Sequence, residues 1–277
     1  MEIYNPLNSA PTPTHQPPSR WLLLIEGRAV YELASSVLTM SWLSKRHEGD
    51  GHPVITLPGF LASDISTGPL RRFLNGVGFS AHRWDLGRNY GPRPGMEEAL
   101  EARIDEVYAL YGGQKVSLVG WSLGGIYARL MAHRKPNKVR SVITLGSPFG
   151  GSTRANHAWR LFESFSGQPI DQVDPQTMEH IRTPPPMPST AVYSRSDGVA
   201  HWRSCVDNHE GPGTENVEVD GSHCGLGCNP LVLEVIADRL AQPEDSWQPF
   251  ERRGARQWLY RHPKARNGTS PEPLVQA

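Results

Sequence analysis

The sequence predicts an α/β fold in which helices cover both faces of a mostly parallel central sheet. From about residue 52 to residue 242, short apolar runs alternate with helical patterns, which is typical of strands joined by crossover helices. The chain has 277 residues, 38% of them hydrophobic. This is enough to bury the core of one domain of roughly 200–250 residues. We therefore expect one α/β domain with further segments at both ends.

Five apolar runs are predicted to be strands, and three patterned stretches between them are predicted to be helices. The strands are 53–57, 115–120, 139–146, 190–193 and 216–219. The helices are 95–111, 123–133 and 231–240, each with apolar residues on one helical face. The last helix has Asn229 as its N-cap and Pro230 at its first helical position, which is a specific start signal.

Composition shifts divide the chain into four segments. These are a Pro-rich leader at 1–20, an amphipathic helix at 21–50, the α/β domain at 51–242 and a polar tail at 243–277. The leader is expected to be disordered, because prolines among small polar residues cannot bury a core. Within the domain, residues 150–189 interrupt the alternation of strands and helices. We expect this stretch to form a lid or cap over a site.

The helix predicted at 21–50 has apolar residues at three- and four-residue steps from Leu22 to Met40. We expect this apolar face to pack on the domain or on a partner chain. Contact with a membrane surface is a second hypothesis for the same face. A spanning helix is not expected, because Glu26, Arg28 and Glu32 interrupt the apolar stretch.

Charge and composition exclude several classes of function. Lys and Arg total 28 and Asp and Glu total 28, so the formal net charge is zero. Binding nucleic acid over a whole surface needs a basic excess, and no nucleic-acid partner is expected. The N-terminal residues lack the charged and then apolar pattern of an export signal. The expected location is therefore the cytoplasm, and the oligomeric state stays open.

The strongest local signal is Gly120-Trp121-Ser122-Leu123-Gly124, followed by Gly125. The string lies between a predicted strand and a predicted helix, where a nucleophilic serine occupies a sharp, strained turn. Small neighbours relieve the crowding of such a turn, and the helix N-terminus favours developing negative charge. Ser122 is therefore the predicted nucleophile. The alternative is a tight glycine-rich turn with an ordinary serine.

A serine nucleophile needs a base, and the base needs an orienting acid. His223 lies after the last predicted strand and before the last helix, where a parallel sheet presents groups at its carboxyl end. Asp197 follows the strand at 190–193 and is the predicted acid. The alternative acids are Asp174, Asp207 and Asp220. The order Ser122, Asp197, His223 is one of the three common triad orders.

Acyl transfer also requires an oxyanion hole, usually two backbone N–H groups. One should come from Leu123, the residue after the nucleophile. The other should come from the loop after the first strand, where Gly59 permits close approach of the backbone. The N–H of Phe60 is the predicted donor. The alternative is that Pro58-Gly59 forms an ordinary turn.

These motifs resemble those of the α/β-hydrolase superfamily, specifically its serine esterase and lipase branch, with bacterial lipases and GPI-inositol-deacylase-like hydrolases as examples. The matching motifs are LPGF at 57–60, GWSLGG at 120–125, TLGSPFGG at 144–151, YSRSDG at 193–198 and VDGSHCG at 219–225. The resemblance spans roughly residues 52–240. In such proteins the serine is acylated, and water then releases the acid. One departure is Leu57-Pro58-Gly59, where many lipases carry His-Gly.

The sequence therefore predicts a serine hydrolase that cleaves carboxylic esters through an acyl-enzyme intermediate. Aromatic residues in the lid segment favour an ester with an apolar acyl chain as the small-molecule substrate. No metal and no organic cofactor are implied. Two alternatives stay open: an acyltransferase that uses the same three residues, and a catalytically silent protein with this fold.

The three cysteines allow two further hypotheses. A disulfide between Cys205 and Cys224 would pin the loop of His223, with Cys228 as another pairing partner, but a cytoplasmic location disfavours stable disulfides. Zinc binding by His223, Cys224 and Cys228 is the second hypothesis. Their spacing lacks the paired CxxC of common zinc sites.

Overall fold

The structure is a computed structural model that describes residues 17–150, 174–208 and 213–261. Its strands are β1 Pro53–Leu57, β2 Ser80–Arg83, β3 Val116–Trp121, β4 Val139–Leu145, β5 Ser189–Tyr193 and β6 Thr214–Glu218. Its helices are α1 Arg20–Leu24, α2 Ala29–Leu43, α3 Gly68–Val77, α4 Met96–Leu110, α5 Leu123–Arg134, α6 Pro175–Arg182, α7 Pro230–Leu240 and α8 Arg256–Leu259. Short 3₁₀ turns occupy Ile25–Arg28 and Trp202–Ser204.

The six strands form one sheet in the order β2-β1-β3-β4-β5-β6, and every neighbouring pair is parallel. The predicted α/β fold is therefore confirmed, as are the five predicted strands and the three predicted helices. The sequence analysis missed α3 and β2. Strand β2 reads Ser-Ala-His-Arg, and an edge strand with one neighbour needs no apolar run.

The core lies in two layers, one on each face of the sheet. Val54, Val119 and Ile143 point to the layer that contains α3 and α7. Ile55 and Leu118 point to the opposite layer, which contains α4 and α5. Consecutive strand residues face opposite sides of a sheet, so these unbroken apolar runs are what a sheet covered on both faces requires.

The N-terminal helical segment, residues 20–43, differs from the expectation in two ways. The single helix predicted at 21–50 is interrupted by the 3₁₀ turn and ends at Leu43. The predicted packing of the apolar face on the domain was also wrong, because the buried side chains of the segment are Glu26, Glu32, Ser36 and Leu43. Packing of that face on a partner chain stays a prediction. The apolar residues instead point largely to solvent. Their periodicity was read correctly, but polar side chains hold the segment on the domain.

The region after residue 243 also packs more closely than a polar tail would. Phe250 and Tyr260 are buried with α7, and the Tyr260 hydroxyl donates to the Leu231 carbonyl at 2.9 Å. The predicted leader lies almost wholly outside the described residues, as do residues 151–173 of the predicted lid, with their aromatic side chains. Of that lid, the structure describes α6 and its N-cap Asp174, whose side chain accepts from Thr177 N–H at 2.8 Å. Within the described ranges, no helix combines the length and apolarity needed to cross a membrane.

A buried ion pair ties α5, the helix that follows the glycine-rich turn, to the loop after β5. Both terminal nitrogens of Arg129 donate to the Asp207 carboxylate, at 2.8 and 2.9 Å. Its Nε donates to the Ile181 carbonyl at 2.7 Å, and its guanidinium lies 3.8 Å from the Phe149 ring centroid. Neither charged side chain is exposed beyond 1%.

Arg129→Met is expected to lower the free energy of unfolding by about 3–5 kcal/mol, because it leaves the Asp207 carboxylate buried without a partner. Urea unfolding followed by circular dichroism measures this loss. The double variant Arg129→Met with Asp207→Leu should recover much of it, since no charge then stays buried. A single variant within about 1 kcal/mol of the wild type would contradict this role of the pair.

Candidate active site

Ser122 occupies a strained turn between β3 and α5. Its backbone angles are φ 54° and ψ −120°, a conformation that side chains other than glycine rarely adopt. The Ser122 N–H donates to the Leu145 carbonyl at 2.8 Å, which fixes the turn against β4. Gly124 lies so close to the Leu57 carbonyl that a Cβ would overlap it. The glycines of the motif are therefore required by close backbone approach.

The side chains of Ser122, His223 and Asp197 form a continuous hydrogen-bonded chain. His223 Nε2 lies 3.0 Å from Ser122 Oγ, and His223 Nδ1 lies 2.7 Å from Asp197 Oδ2. His223 and Asp197 are buried, whereas Ser122 is partly exposed. The serine therefore keeps some contact with solvent, whereas its two partners are shielded from it.

Further hydrogen bonds hold the loop after β5, which carries Asp197 and is called the acid loop, and the loop after β6, which carries His223 and is called the base loop. Asp197 Oδ1 accepts from the N–H groups of Val199 and Ala200 at 2.8 and 2.7 Å, so the other oxygen faces His223. The indole N–H of Trp121 donates to the His223 carbonyl at 3.0 Å. The residue before the serine thus anchors the loop that carries the imidazole.

The environment of His223 raises the pKa of its imidazole above the ordinary 6.5. Burial by itself lowers this pKa, because it disfavours the charged ring. The charge and hydrogen bond of Asp197 outweigh that effect, and the charge of Glu26 adds to them. Since the base must be neutral to accept a proton, its capacity to do so grows as pH rises through this elevated pKa.

The structure also shows where the two predicted oxyanion donors lie. Leu123 begins α5, where first-turn N–H groups have no acceptor within the helix. Phe60 follows Gly59, whose Cβ, if present, would lie 3.3 Å from Ser122 Cβ. Both predicted donors therefore belong to backbone that passes directly beside the serine. Their role towards an oxyanion stays a proposal.

Asn89 holds the loop of Phe60 in place and was missed by the sequence analysis. Its buried side chain donates to the Pro58 carbonyl at 2.9 Å. Its backbone exchanges two hydrogen bonds with the same loop, from Leu61 N–H at 2.7 Å and to the Ala62 carbonyl at 2.8 Å. No motif surrounds Asn89 in the sequence, because the contact joins loops that are far apart along the chain.

The alternative acids have other partners in the structure. Asp174 is a helix N-cap, Asp207 pairs with Arg129, and Asp220 is exposed beside Arg261. Of the three candidate acids besides Asp197, none contacts His223 among the interactions of the described residues.

The three cysteines are free thiols, so the hypothesis of a Cys205–Cys224 bridge was wrong. Burial and the nearby Glu26 charge raise the pKa of Cys224 to about 12. Burial and the charge of Glu32 raise the pKa of Cys228 to about 11. The described ranges contain no group of three His, Cys, Asp or Glu side chains placed to hold a metal ion, and both ring nitrogens of His223 already bond Asp197 and Ser122.

Comparison with known proteins identifies the fold. A sequence profile described as the alpha/beta hydrolase fold matches residues 57–168. The Bacillus licheniformis lipase BlEst2 in mature form superimposes with a TM-score of 0.51 at 20% identity, covering 70% of this chain and 94% of that one. The chain has the α/β-hydrolase fold. Monoacylglycerol lipase from Paleococcus ferrophilus gives a TM-score of 0.50 at 17% identity over 70% of this α/β-hydrolase chain and 95% of the lipase.

Curated relatives of this α/β-hydrolase chain match it over shorter stretches. Human serine hydrolase BPHL is 36% identical over 110 residues, or 36% of this chain and 37% of that protein. A triacylglycerol lipase from Pseudarthrobacter phenanthrenivorans is 42% identical over 66 residues, or 24% of this chain and 20% of that lipase. The matched stretch spans about a third or less of each relative. These names belong to the serine hydrolase and lipase branch of the superfamily.

Gly146 lies next to His223 and Asp197, and the structure leaves no room there for a side chain. Its φ is +55°, and a Cβ there would lie 3.1 Å from Asp197 Oδ2, 3.2 Å from His223 Nδ1 and 2.7 Å from Leu226 Cδ1. Gly146→Ala is expected to push this pair apart and to slow labelling of Ser122 by a fluorophosphonate probe about 100-fold, because small displacements of reacting groups have effects of that size.

Gly112→Ala is the matched control for Gly146→Ala. Gly112 has φ +62° but nothing within 4 Å of the added Cβ, so this variant introduces the backbone strain alone. It should lower stability by about 1–3 kcal/mol and leave labelling unchanged. Equal labelling rates in Gly146→Ala and wild type, measured on folded protein, would contradict the proposed contact.

Proposed function

We propose that this chain is a serine hydrolase that cleaves carboxylic esters through an acyl-enzyme intermediate. The observation that carries the proposal is the chain of hydrogen bonds from Ser122 Oγ through His223 to Asp197, at 3.0 and 2.7 Å. A serine hydroxyl becomes nucleophilic when a base accepts its proton during attack. Similarity to a human serine hydrolase and a bacterial triacylglycerol lipase supports the same assignment.

The proposed reaction has two halves. Ser122 Oγ attacks the ester carbonyl carbon while its proton passes to His223 Nε2, and the carbonyl electrons move onto the oxygen. The N–H groups of Leu123 and Phe60 stabilise that oxyanion. When the intermediate collapses, the alkoxide leaves with the proton from His223. Water then repeats the sequence on the acyl-enzyme, which releases the carboxylic acid and restores the serine.

Each remaining group has a role that follows from its contacts. The Asp197 carboxylate holds His223 in the tautomer with its proton on Nδ1, which leaves Nε2 free to accept from serine. Its charge also stabilises the imidazolium that forms during attack.

The substrate acyl chain is proposed to be apolar because residues 159–165 of the sequence include Trp159, Phe162 and Phe165. These residues lie outside the described ranges.

Ser122→Ala is expected to reduce kcat/KM on a short-chain p-nitrophenyl ester by a factor on the order of 10⁵–10⁶, since the nucleophile is removed. Asp197→Asn should reduce it by about 10⁴, because the imidazole then adopts the wrong tautomer. Ser246→Ala changes an exposed serine in the turn after α7 and serves as the control that keeps full activity. Substantial esterase activity in Ser122→Ala would overturn the proposal.

Two further measurements separate hydrolysis from the alternatives. If an added alcohol captures the acyl group in preference to water, the physiological reaction is acyl transfer by the same serine. If a fluorophosphonate probe does not label Ser122 in the wild type, the serine is not activated, and the chain is a silent member of its superfamily.

A further inference from the structure

The N-terminal helical segment presents its acidic side chains inward and most of its apolar side chains outward. Glu26 and Glu32 are only 8% and 7% exposed, although they belong to a segment that covers one edge of the domain. A buried carboxylate is costly unless hydrogen bonds replace its water. The partners of these two carboxylates are therefore what fastens the segment in place.

The Glu26 carboxylate joins the acid loop to the base loop. Its Oε1 accepts from Gly198 N–H at 2.7 Å and from His223 N–H at 3.0 Å. Its Oε2 accepts from Cys224 N–H at 2.9 Å. Gly198 follows Asp197 directly, so one side chain holds the backbone beside the acid and the backbone of the base itself.

Neighbouring contacts show that this junction is tightly built. Glu32 accepts from the N–H and the hydroxyl of Ser222, both at 2.8 Å. Arg28 donates to the carbonyl and the hydroxyl of Ser196 at 2.9 and 2.7 Å. A Cβ on Gly198 would overlap the backbone at Leu22, so the segment sits directly on the acid loop.

We propose that Glu26 is a positioning residue that fixes His223 against Asp197 and Ser122. The proposal rests on the hydrolase function proposed above, because it assigns Glu26 an effect on that reaction. A carboxylate suits three N–H donors, since both of its oxygens accept. An amide at this position would offer one oxygen and would aim an N–H group at another donor. The junction of the two loops would then lose at least one of its three hydrogen bonds to residue 26.

Glu26→Gln is expected to lower kcat about 10- to 100-fold with little change in KM, because the base is displaced while the substrate surface is not. The midpoint of the pH–rate profile should also move to lower pH, since the charge of Glu26 raises the pKa of His223. Glu26→Asp keeps the charge on a shorter side chain and should retain more of both properties than Glu26→Gln.

Glu32→Gln is the matched control for Glu26→Gln. It removes a second buried carboxylate from the same segment but touches Ser222 rather than His223. It should lower the unfolding temperature comparably and leave the midpoint of the pH profile in place. Equal losses of kcat in the two variants, with no movement of the midpoint, would show that Glu26 only fastens the segment and would overturn the proposal.

A ¹⁵N NMR titration of the His223 ring gives a readout that does not need turnover. Glu26→Gln should move the titration of His223 to lower pH, whereas Glu32→Gln should not. If the wild type hydrolysed no ester, the proposed function would fail, and this titration alone would decide whether Glu26 acts on His223. An unchanged His223 titration in folded Glu26→Gln would overturn the inference in either case.

The outer face of residues 20–46 exposes large apolar side chains to solvent. Trp21, Val30, Tyr31 and Leu38 are each more than 70% exposed, and they form part of a larger apolar face along α1 and α2. Tyr31, Leu38 and Trp42 recur at seven- and four-residue steps of α2 and therefore share one helical face. Scattered exposed apolar residues are ordinary, but a set on one face marks an interaction surface. Trp and Tyr are the side chains that favour the boundary between water and lipid.

The charged residues around this face indicate which kind of surface it binds. Both acidic residues of 20–43 are turned inward, whereas the cations Arg20, Lys45 and Arg46 are exposed. The Arg46 guanidinium lies 4.7 Å from the Trp42 ring centroid, beside the apolar face, and its Nε lies 3.6 Å from Glu234 Oε1, although 44% of the side chain stays exposed. We infer that this face lies in the plane of an anionic lipid surface, where apolar burial and attraction to lipid headgroups act together.

The test is sedimentation with phosphatidylcholine vesicles that contain about one quarter phosphatidylglycerol. Wild type should bind, and the double variant Tyr31→Gln with Leu38→Gln should bind at least about 10-fold more weakly, because it loses apolar area at the interface. The double variant Leu110→Gln with Trp258→Gln changes two exposed apolar residues elsewhere and should bind as wild type. Binding should weaken in 1 M salt.

Three results would overturn the lipid inference. They are no binding to anionic vesicles, equal binding to pure phosphatidylcholine vesicles, and self-association that Tyr31→Gln with Leu38→Gln abolishes, which would assign the face to a second copy of the chain. The p-nitrophenyl ester activity of each variant, measured without vesicles, reports separately on the active site. It should stay unchanged, since the altered side chains point away from the loops that hold Ser122, Asp197 and His223.

Discussion

The parallel direction of all six strands brings the functional loops to one edge of the sheet. The loops after β1, β3, β5 and β6 carry Phe60, Ser122, Asp197 and His223, and each begins at the carboxyl end of its strand. An antiparallel neighbour would send one of these loops to the opposite edge. The site therefore depends first on strand direction, and only then on the hydrogen bonds that align individual side chains.

A second requirement is close contact between backbones at that edge. The turn of Ser122 meets the end of β1 without an intervening side chain, because Gly124 lies against the Leu57 carbonyl. The same contact brings Gly59 next to Ser122. A larger residue at either glycine would separate the nucleophile from the N–H groups proposed to receive the oxyanion. The strain at Ser122 is held by this packing and by the bond to β4.

The motifs around Ser122, Asp197 and His223 were readable from the sequence because each joins a strand end to a local cluster of glycine and polar residues. Glu26 and Asn89 were not readable, since their contacts join segments that are distant along the chain. The N-terminal segment shows a different limit. Periodicity reports that a helix has two unlike faces, but it does not report which face is buried. Here two acidic residues, Glu26 and Glu32, are buried because loop N–H groups meet them.

The carboxylates that surround the base have a consequence for the thiols beside it. Cys224 and Cys228 lie within five residues of His223, yet their pKa values of about 12 and 11 keep both as neutral thiols near pH 7. Neutral thiols are poor nucleophiles and oxidise slowly. Burial is the larger cause of both thiol shifts, and the charges of Glu26 and Glu32 add to it. The Glu26 charge also raises the pKa of His223. Of the nucleophilic side chains at this edge of the sheet, we therefore expect Ser122 to react and the two thiols to stay inert.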